Sequence, residues 1–462
     1  MKMNKDNSIT RRGFLKFMGA GVTLSIAGCG GRDKIVAAGD DDTAGGEMTY
    51  RINPSTGDRV SILGYGCMRL PTAKADDGQE VIDQEEVNRS VDEALKGGVN
   101  YFDTSPAYCK GLSEHAMGIA LSRHPRDSYF IATKLSNFNP STWPREKSIE
   151  MYRNSLKELQ TDHIDYMLLH AIGQGGMENL HARYLDNGIL DFLMEEREAG
   201  RIRNLGFSYH GDVEVFDYLL ANHDRYHWDF VQIQMNYIDW NHAKEVNERN
   251  TDAEYLYGEL HKRGIPVVIM EPLLGGRLAA VNNNLTARMK QRRPDDSVAS
   301  WAFRYAGSPE GVLTVLSGMT YREHLRDNLR TYSPLKPLTD DEIAFLDHAA
   351  GIILSYPTVG CTDCKYCMPC PYGIDIPSIF QHYNRCVNAG DVPSGDMDPE
   401  YERARRAFLI GYDRNVPRLR QAERCIACGE CQPHCPQGIK IPDQLARIDA
   451  IVEKLKRGEP IG

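Results

Sequence analysis

Four ionisable residues stand at the ends of three successive apolar, strand-like segments. Asp103 and Tyr108 follow Val99–Phe102 in the stretch VNYFDTSPAYCKGLSE, Lys134 ends YFIATK, and His170 ends IDYMLLH. Singly, each has a bland reading: a surface Asp in a loop, a packing Tyr, a satisfied structural His. As a set they suit one reaction. A carbonyl accepting hydride gathers negative charge on its oxygen and needs a proton. A free tyrosine titrates near pKa ~10, and an adjacent ammonium favours its anionic form. Lys134 can supply that ammonium, Asp103 can hold Lys134 charged and in place, and His170 can orient the substrate oxygen. Tyr108 is then general acid in reduction and general base in the reverse direction.

Cysteines give a second signal. Eight of the 12 form two runs, Cys361-Cys364-Cys367-Cys370 and Cys425-Cys428-Cys431-Cys435, each followed directly by a shared P-x-G-I-x-I-P ending that begins at Pro371 and Pro436. The spacing C-x2-C-x2-C-x3-C-P is that of a [4Fe–4S] run, in which the fourth cysteine serves the other cluster of a two-cluster ferredoxin. Cys361, Cys364, Cys367 and Cys435 are therefore expected on one cluster, and Cys425, Cys428, Cys431 and Cys370 on the second. The first run is one residue short before Cys370, which makes that ligand the least constrained. Zinc is the rival occupant, since four-cysteine zinc sites are common. Between the runs, IPSIFQHYN and PEYERARRAFLIG read as helices, resembling the long insert of α-helical ferredoxins. Cys386 in that insert reads as a buried free thiol and Cys67 as strand core, while Cys109 adjoins Tyr108.

The elements that must position these residues alternate. A hairpin comes first, MTYRIN and RVSIL around the PSTGD turn. Strand candidates follow at Leu63–Met68, Val99–Phe102, Tyr129–Lys134, Ile164–His170, Asn204–Ser208, Phe230–Asn236, Pro266–Glu271 and Thr314–Gly318. Helical patterns lie between them. DQEEVNRSVDEALKGG stops on Gly97-Gly98, and another helix begins near Ser113, a candidate N-cap. Eight strands alternating with helices predict a (β/α)8 barrel, whose chemistry sits at the strands' C-terminal ends. A doubly wound sheet is the alternative, but no GxGxxG follows the first strand. His210, Gln232 and Asn236 add polar groups at or near strand ends. The segments Ile172–Asp186 and Asp239–Asn250 read either as pocket-shaping loops or as surface insertions.

Composition sets the bounds. The chain has 462 residues, 41% apolar and 26% charged, and a net charge of −10. These values describe a globular protein of two or three domains and argue against a general nucleic-acid binder. The N-terminus, TRRGFLKF followed by an apolar stretch and Ile26-Ala27-Gly28-Cys29, resembles a twin-arginine export signal running into a lipoprotein box. That resemblance implies a signal segment over residues 1–29, lipidation at Cys29, a flexible tether over residues 30–47, and a periplasmic or membrane-anchored lipoprotein. An unused signal would leave the protein cytoplasmic.

Taken in order, DTSPAYCKGLSE, IATK, LLH, GRIRNLGFSYH, VQIQMNY and EPLLGGRL resemble the aldo-keto reductases, and the mature chain resembles their iron–sulfur branch. The resemblance implies a (β/α)8 TIM barrel over residues 48–340 and a small, mainly α-helical two-cluster ferredoxin-like domain over residues 341–462. It implies NADP(H), or NAD, as cofactor and a carbonyl or alcohol as substrate. The family's catalytic four fall on Asp103, Tyr108, Lys134 and His170. Its carboxamide-binding residues fall on Ser208 and Gln232, and its phosphate-contacting loop on Gly275, Gly276 and Arg277. Gly318, Arg322 and Asn328 complete the cofactor set. Cys109, Tyr209, Met270 and His324 depart from the family pattern. Two [4Fe–4S] clusters imply electron transfer and a redox partner protein. The alternative function is an electron-transfer or structural subunit whose barrel is not catalytic.

Overall fold

The computed structural model describes residues 46–76, 79–393 and 398–461. The expected signal segment with Cys29, and the tether up to residue 45, lie outside the described residues. The chain forms two compact units. The first takes residues up to 241 together with 249–272 and 303–340, and the second takes 242–248, 273–302 and the chain from 341 onward.

The first unit is a closed barrel of eight parallel strands paired in chain order. They are β1 (Leu63–Gly66), β2 (Tyr101–Asp103), β3 (Phe130–Leu135), β4 (Ile164–Ile172), β5 (Ile202–Tyr209), β6 (Phe230–Gln234), β7 (Val267–Met270) and β8 (Val312–Ser317). Strands buried on both faces read as near-continuous apolar runs, as VVIM of β7 and VLTVLS of β8 do. Inside, aromatic rings fill the lower barrel: Tyr101 and Phe230 each meet Tyr166 edge-on at 5.0 Å between centroids. Gly206 lets β5 and β6 approach, since a Cβ there would sit 2.2 Å from the Phe230 carbonyl oxygen.

A hairpin, Tyr50–Ile52 paired with Arg59–Ser61, precedes β1. Its Asp58 is fully buried yet matched. It pairs with Arg203 and accepts from Tyr166 Oη at 3.0 Å and Asn204 Nδ2 at 3.1 Å.

Helix α1 (Gln84–Lys96) starts where Asp83 accepts from the Glu86 N–H at 3.0 Å, turns Val87, Val91 and Ala94 inward, and stops at Gly97. Helix α2 (Ser113–Leu121) corrects one expectation. Ser113 is its first helical residue and not its N-cap. Its hydroxyl donates to the Cys67 carbonyl at 2.8 Å, so no side chain caps this helix.

The second unit has a helical core. Helices α3 (Ile376–Ala389), α4 (Tyr401–Asn415) and α5 (Ile441–Arg457) enclose Ile379, Phe380, Phe408, Tyr412, Ile448 and Leu455. The two P-x-G-I-x-I-P endings fold alike. Gly373 and Gly438 take positive φ and donate to Cys370 and Cys435 respectively, and each ending then opens a helix with proline in its first turn. Among the described residues no helix is long and apolar enough to cross a membrane.

Candidate functional site

Strand ends β2, β3 and β4 bring the four ionisable residues to one rim of the barrel. Asp103 is the last residue of β2, and Lys134 lies one residue before the end of β3. Lys134 Nζ donates to Asp103 Oδ1 at 2.5 Å and to the Thr104 carbonyl at 2.9 Å, with both side chains sealed from water. Burial raises the Asp103 carboxyl above its ordinary value, and the Lys134 ammonium acts against the rise. The second oxygen, Oδ2, is buried without a hydrogen-bond partner.

Tyr108 opens a short 3-10 turn, Tyr108–Gly111, in which Cys109 and Lys110 adopt left-handed φ of 50° and 57°. Lys134 Nζ lies 4.9 Å from the centre of the Tyr108 ring. The expected lowering of the Tyr108 hydroxyl by Lys134 does not prevail. Burial, reinforced by the negative charge of Asp103, holds that hydroxyl well above its usual value. A buried phenolate costs more than an ammonium already paired with a carboxylate returns. Tyr108 is therefore a protonated donor.

His170 falls where β4 bulges. Pairing with β5 shifts register between Leu169 and Ile172, and Ala171 takes φ of 53°. Bulges at barrel rims re-aim side chains in this way. The imidazole meets Tyr108 edge-on at 5.9 Å and the half-exposed Phe138 at 4.8 Å. Its Nδ1 lies 2.6 Å from Ser136 Oγ. Burial first, then the positive charge of Lys134, keep the ring neutral, well below its usual pKa.

The segment after β4, read as a loop or an insertion, is helical: Gly176–Leu180 and then a π-helical turn, His181–Leu185. From it the buried Arg183 reaches back and donates to the His170 carbonyl at 2.7 Å. Sequence reading missed Arg183, Ser105, Ser136 and Glu271. Glu271 follows β7 with φ of 54°, its carbonyl fixed by Asn236 Nδ2 at 3.0 Å, and its charge reaches Tyr108. Only the acidic residue in EPLLGG, at a strand's end, could have flagged it.

Ser208 and Gln232 stand side by side on β5 and β6. Ser208 Oγ accepts from the Ala171 N–H at 2.9 Å, which leaves its own hydrogen to donate. Gln232 Nε2 is turned to the Met270 sulfur at 3.4 Å, and its Oε1 is buried without a partner. One free donor beside one orphaned acceptor matches the oxygen and amino group of a carboxamide, so these residues fit a nicotinamide.

The other cofactor candidates lie in different settings. Arg322 pairs with Glu86 at 2.9 Å and lies 3.7 Å from Glu93. Asn328 donates to Ser317 Oγ at 2.9 Å. Gly318 is exposed in the turn after β8. Gly275, Gly276 and Arg277 belong to the second unit. Gly275 takes φ of 66°, and a Cβ there would lie 2.2 Å from Thr362 Cβ, while Arg277 Nη2 lies 3.2 Å from Thr358 Oγ1. That loop is folded against the chain entering the first cysteine run.

The eight cysteines sort into two electrostatic sets. Cys367 feels Cys361, Cys364 and Cys435, whereas Cys431 feels Cys425, Cys428 and Cys370. Burial pushes the Cys361 and Cys367 thiols up to about 12 and Cys431 up to about 11. Cys370, Cys425, Cys428 and Cys431 line one cavity, with Tyr372 and Ile426 at its exposed edge. Among the described residues no three Cys, His, Asp or Glu side chains stand close enough to hold a single ion. A [4Fe–4S] cluster binds each cysteine through a different iron and calls for four sulfurs around a cavity. The two crosswise sets fit such clusters. Cys386 is buried, 3.4 Å from His382 Nε2 within the helical core, and lies outside both sets.

The model of the aldo/keto reductase family matches residues 62–350, more than half of the chain, and that of a 4Fe-4S dicluster domain matches residues 360–440. L-galactose dehydrogenase of Arabidopsis thaliana is 24% identical over 314 residues, 64% of this chain and 92% of its own length. Protein Tas of Escherichia coli (strain K12) is 26% identical over 360 residues, 67% of this chain and 99% of its own. Among solved structures, aldo-keto reductase AKR11C1 from Bacillus halodurans in its holo form superposes with a TM-score of 0.52 at 23% identity. It covers 65% of this chain and 96% of its own. That likeness describes the barrel.

Proposed function

The chain belongs to the aldo/keto reductase family, and on that premise we propose that it is an NADP(H)-dependent oxidoreductase acting on a small carbonyl or its alcohol. The observation that carries this reading is a neutral, buried Tyr108 beside a neutral His170 and a sealed Lys134–Asp103 pair. When bound, a nicotinamide supplies the hydride. The protein's residues do the rest. Ser208 and Gln232 hold the carboxamide, His170 orients the carbonyl oxygen, and Tyr108 gives that oxygen its proton. That donation leaves Tyr108 as a phenolate, which the charge of the nearby Lys134 favours, and in the alcohol-oxidising direction the phenolate takes the proton back. Phe138 offers an aromatic wall next to His170, which suits an apolar substituent on the substrate.

Under the same proposal, the cysteine sets hold two [4Fe–4S] clusters that exchange single electrons with a redox partner protein. The Arg11-Arg12 segment directs export, and Cys29 carries a lipid anchor.

The test is anaerobic. Purified protein is assayed with NADPH deuterated at the nicotinamide C4 position and an aromatic aldehyde. Iron, sulfide and released nucleotide are measured on the same sample. Deuterium in the alcohol, with about eight iron and eight sulfide per chain, supports the reading. No deuterium transfer in either direction, with clusters present, overturns it. Mass spectrometry of the membrane-extracted protein reads the N-terminus: an intact Met1 without lipid overturns the export and anchor.

A further inference from the structure

The hydrogen bonds around His170 decide which of its ring nitrogens carries the proton. The Ala107 N–H donates to Ser105 Oγ at 3.1 Å. Ser105 Oγ lies 2.8 Å from Ser136 Oγ, and Ser136 Oγ lies 2.6 Å from His170 Nδ1. Each serine hydroxyl has one hydrogen. If Ser105 donates to Ser136 and Ser136 donates to Nδ1, every hydrogen in the chain has a partner at 3.1 Å or less. If Nδ1 carried the proton and donated to Ser136, the Ser136 hydrogen would turn to Ser105 or to the Lys134 carbonyl at 3.5 Å. The first choice strands the Ser105 hydrogen, and the second stretches a bond to its limit. Leaving a buried donor without a partner is costly enough to decide a tautomer.

We propose that Ser105 and Ser136 form a one-way hydrogen-bond relay, starting from the Ala107 amide, that fixes His170 as the Nε2–H tautomer. Ser136 is thereby a positioning residue for the reaction. With Nδ1 engaged as acceptor, Nε2 presents a hydrogen. Among the described residues Nε2 makes no hydrogen bond within the protein. It is the only ring nitrogen left to meet a substrate oxygen, and it meets it as a donor. The charged and titratable groups whose fields reach the ring are Lys134, His210 and Arg183, and all of them disfavour a second proton there. Arg183 acts on the backbone, holding the His170 carbonyl, and does not compete for the ring.

The inference rests on the reductase reading only for its kinetic consequence, so its test has a spectroscopic arm. The intact protein, loaded with clusters and labelled with ring-15N histidine, is compared with Ser136→Ala, Ser136→Thr and His170→Asn. The last identifies the His170 signals by their loss. Wild type and Ser136→Thr are expected to show an unprotonated Nδ1 and a protonated Nε2. Ser136→Ala is expected to mix the tautomers. It should also lower kcat for aldehyde reduction roughly tenfold or more with little change in KM, as loss of an interaction made in the transition state does. Nδ1–H in the wild type overturns the relay, as does a Ser136→Ala variant with unchanged tautomer and kcat. An Nε2–H wild type that transfers no hydride supports the relay and overturns the reductase reading instead.

Discussion

Lys134 Nζ meets Asp103 Oδ1 at 2.5 Å in a place where both side chains are cut off from water. Buried charges are tolerated only as a matched pair, and removing one partner typically costs about 3–5 kcal/mol. Lys134→Met is therefore expected to destabilise the barrel by about that much, as well as to abolish turnover. Adding Asp103→Asn should recover part of the stability and none of the activity. A double-mutant cycle by urea unfolding checks this. Additive losses would mean that the pair is not coupled.

Tyr108 is the group that must give up a proton. Tyr108→Phe keeps the ring over Lys134 and removes the hydroxyl. It should lower carbonyl reduction by about 10²–10⁴-fold, the range for a lost general acid. Cluster absorbance should not change. Steady-state kinetics and a visible spectrum on one sample read both outcomes.

Glu114 on α2 is buried, accepts from Thr133 Oγ1 at 2.5 Å, and is pushed up to about 7 by burial. Its folded value lies above its unfolded value of about 4.5, so the folded state holds the proton more tightly. The stability this lends is complete below pH ~4.5 and is lost as pH rises through ~7, a change of about 3 kcal/mol. Glu114→Gln, neutral at every pH, should remove that slope. Unfolding at pH 5 and pH 8 compares the two proteins. An equal slope in both would place the titration elsewhere.

The crosswise cysteine sets separate by substitution. Cys435→Ser should empty the cluster of Cys361, Cys364 and Cys367, and Cys370→Ser that of Cys425, Cys428 and Cys431. Each variant should fall from about eight to about four iron per chain. The two should leave different paramagnetic signals after reduction. If Cys435→Ser behaves like Cys425→Ser, each run binds its own cluster.

Gly275 tests the packing of the loop after β7. A methyl group there would meet Thr362 Cβ at 2.2 Å, at a φ of 66°. Gly275→Ala is expected to destabilise the second unit by about 1–3 kcal/mol or more, through overpacking and left-handed strain. Adding Thr362→Gly should relieve part of that cost. Thermal unfolding followed by cluster absorbance measures both.

The barrel and the residues that line its rim are legible in the sequence. Strand periodicity, loop lengths and capping are local properties, and parallel strands joined by helices have few ways to close. All eight expected strands appear, each within a few residues of its expected bounds. Asp103, Tyr108, Lys134 and His170 were legible for the same reason, because a strand's C-terminal end is a position in sequence as well as in space. The nearness of Cys435 to Cys367, 68 residues apart in the chain, is hinted at in the sequence only by the spacing of the cysteine runs.

The chemical state of these groups follows from how the chain packs around them. Whether Tyr108 is lowered by Lys134 or raised by burial depends on solvent exclusion and on where the ammonium points, and spacing encodes neither. The tautomer of His170 depends on Ser105 and Ser136, 65 and 34 residues away in the chain. The Gly275 loop packs against Thr362, a long-range contact invisible in either segment.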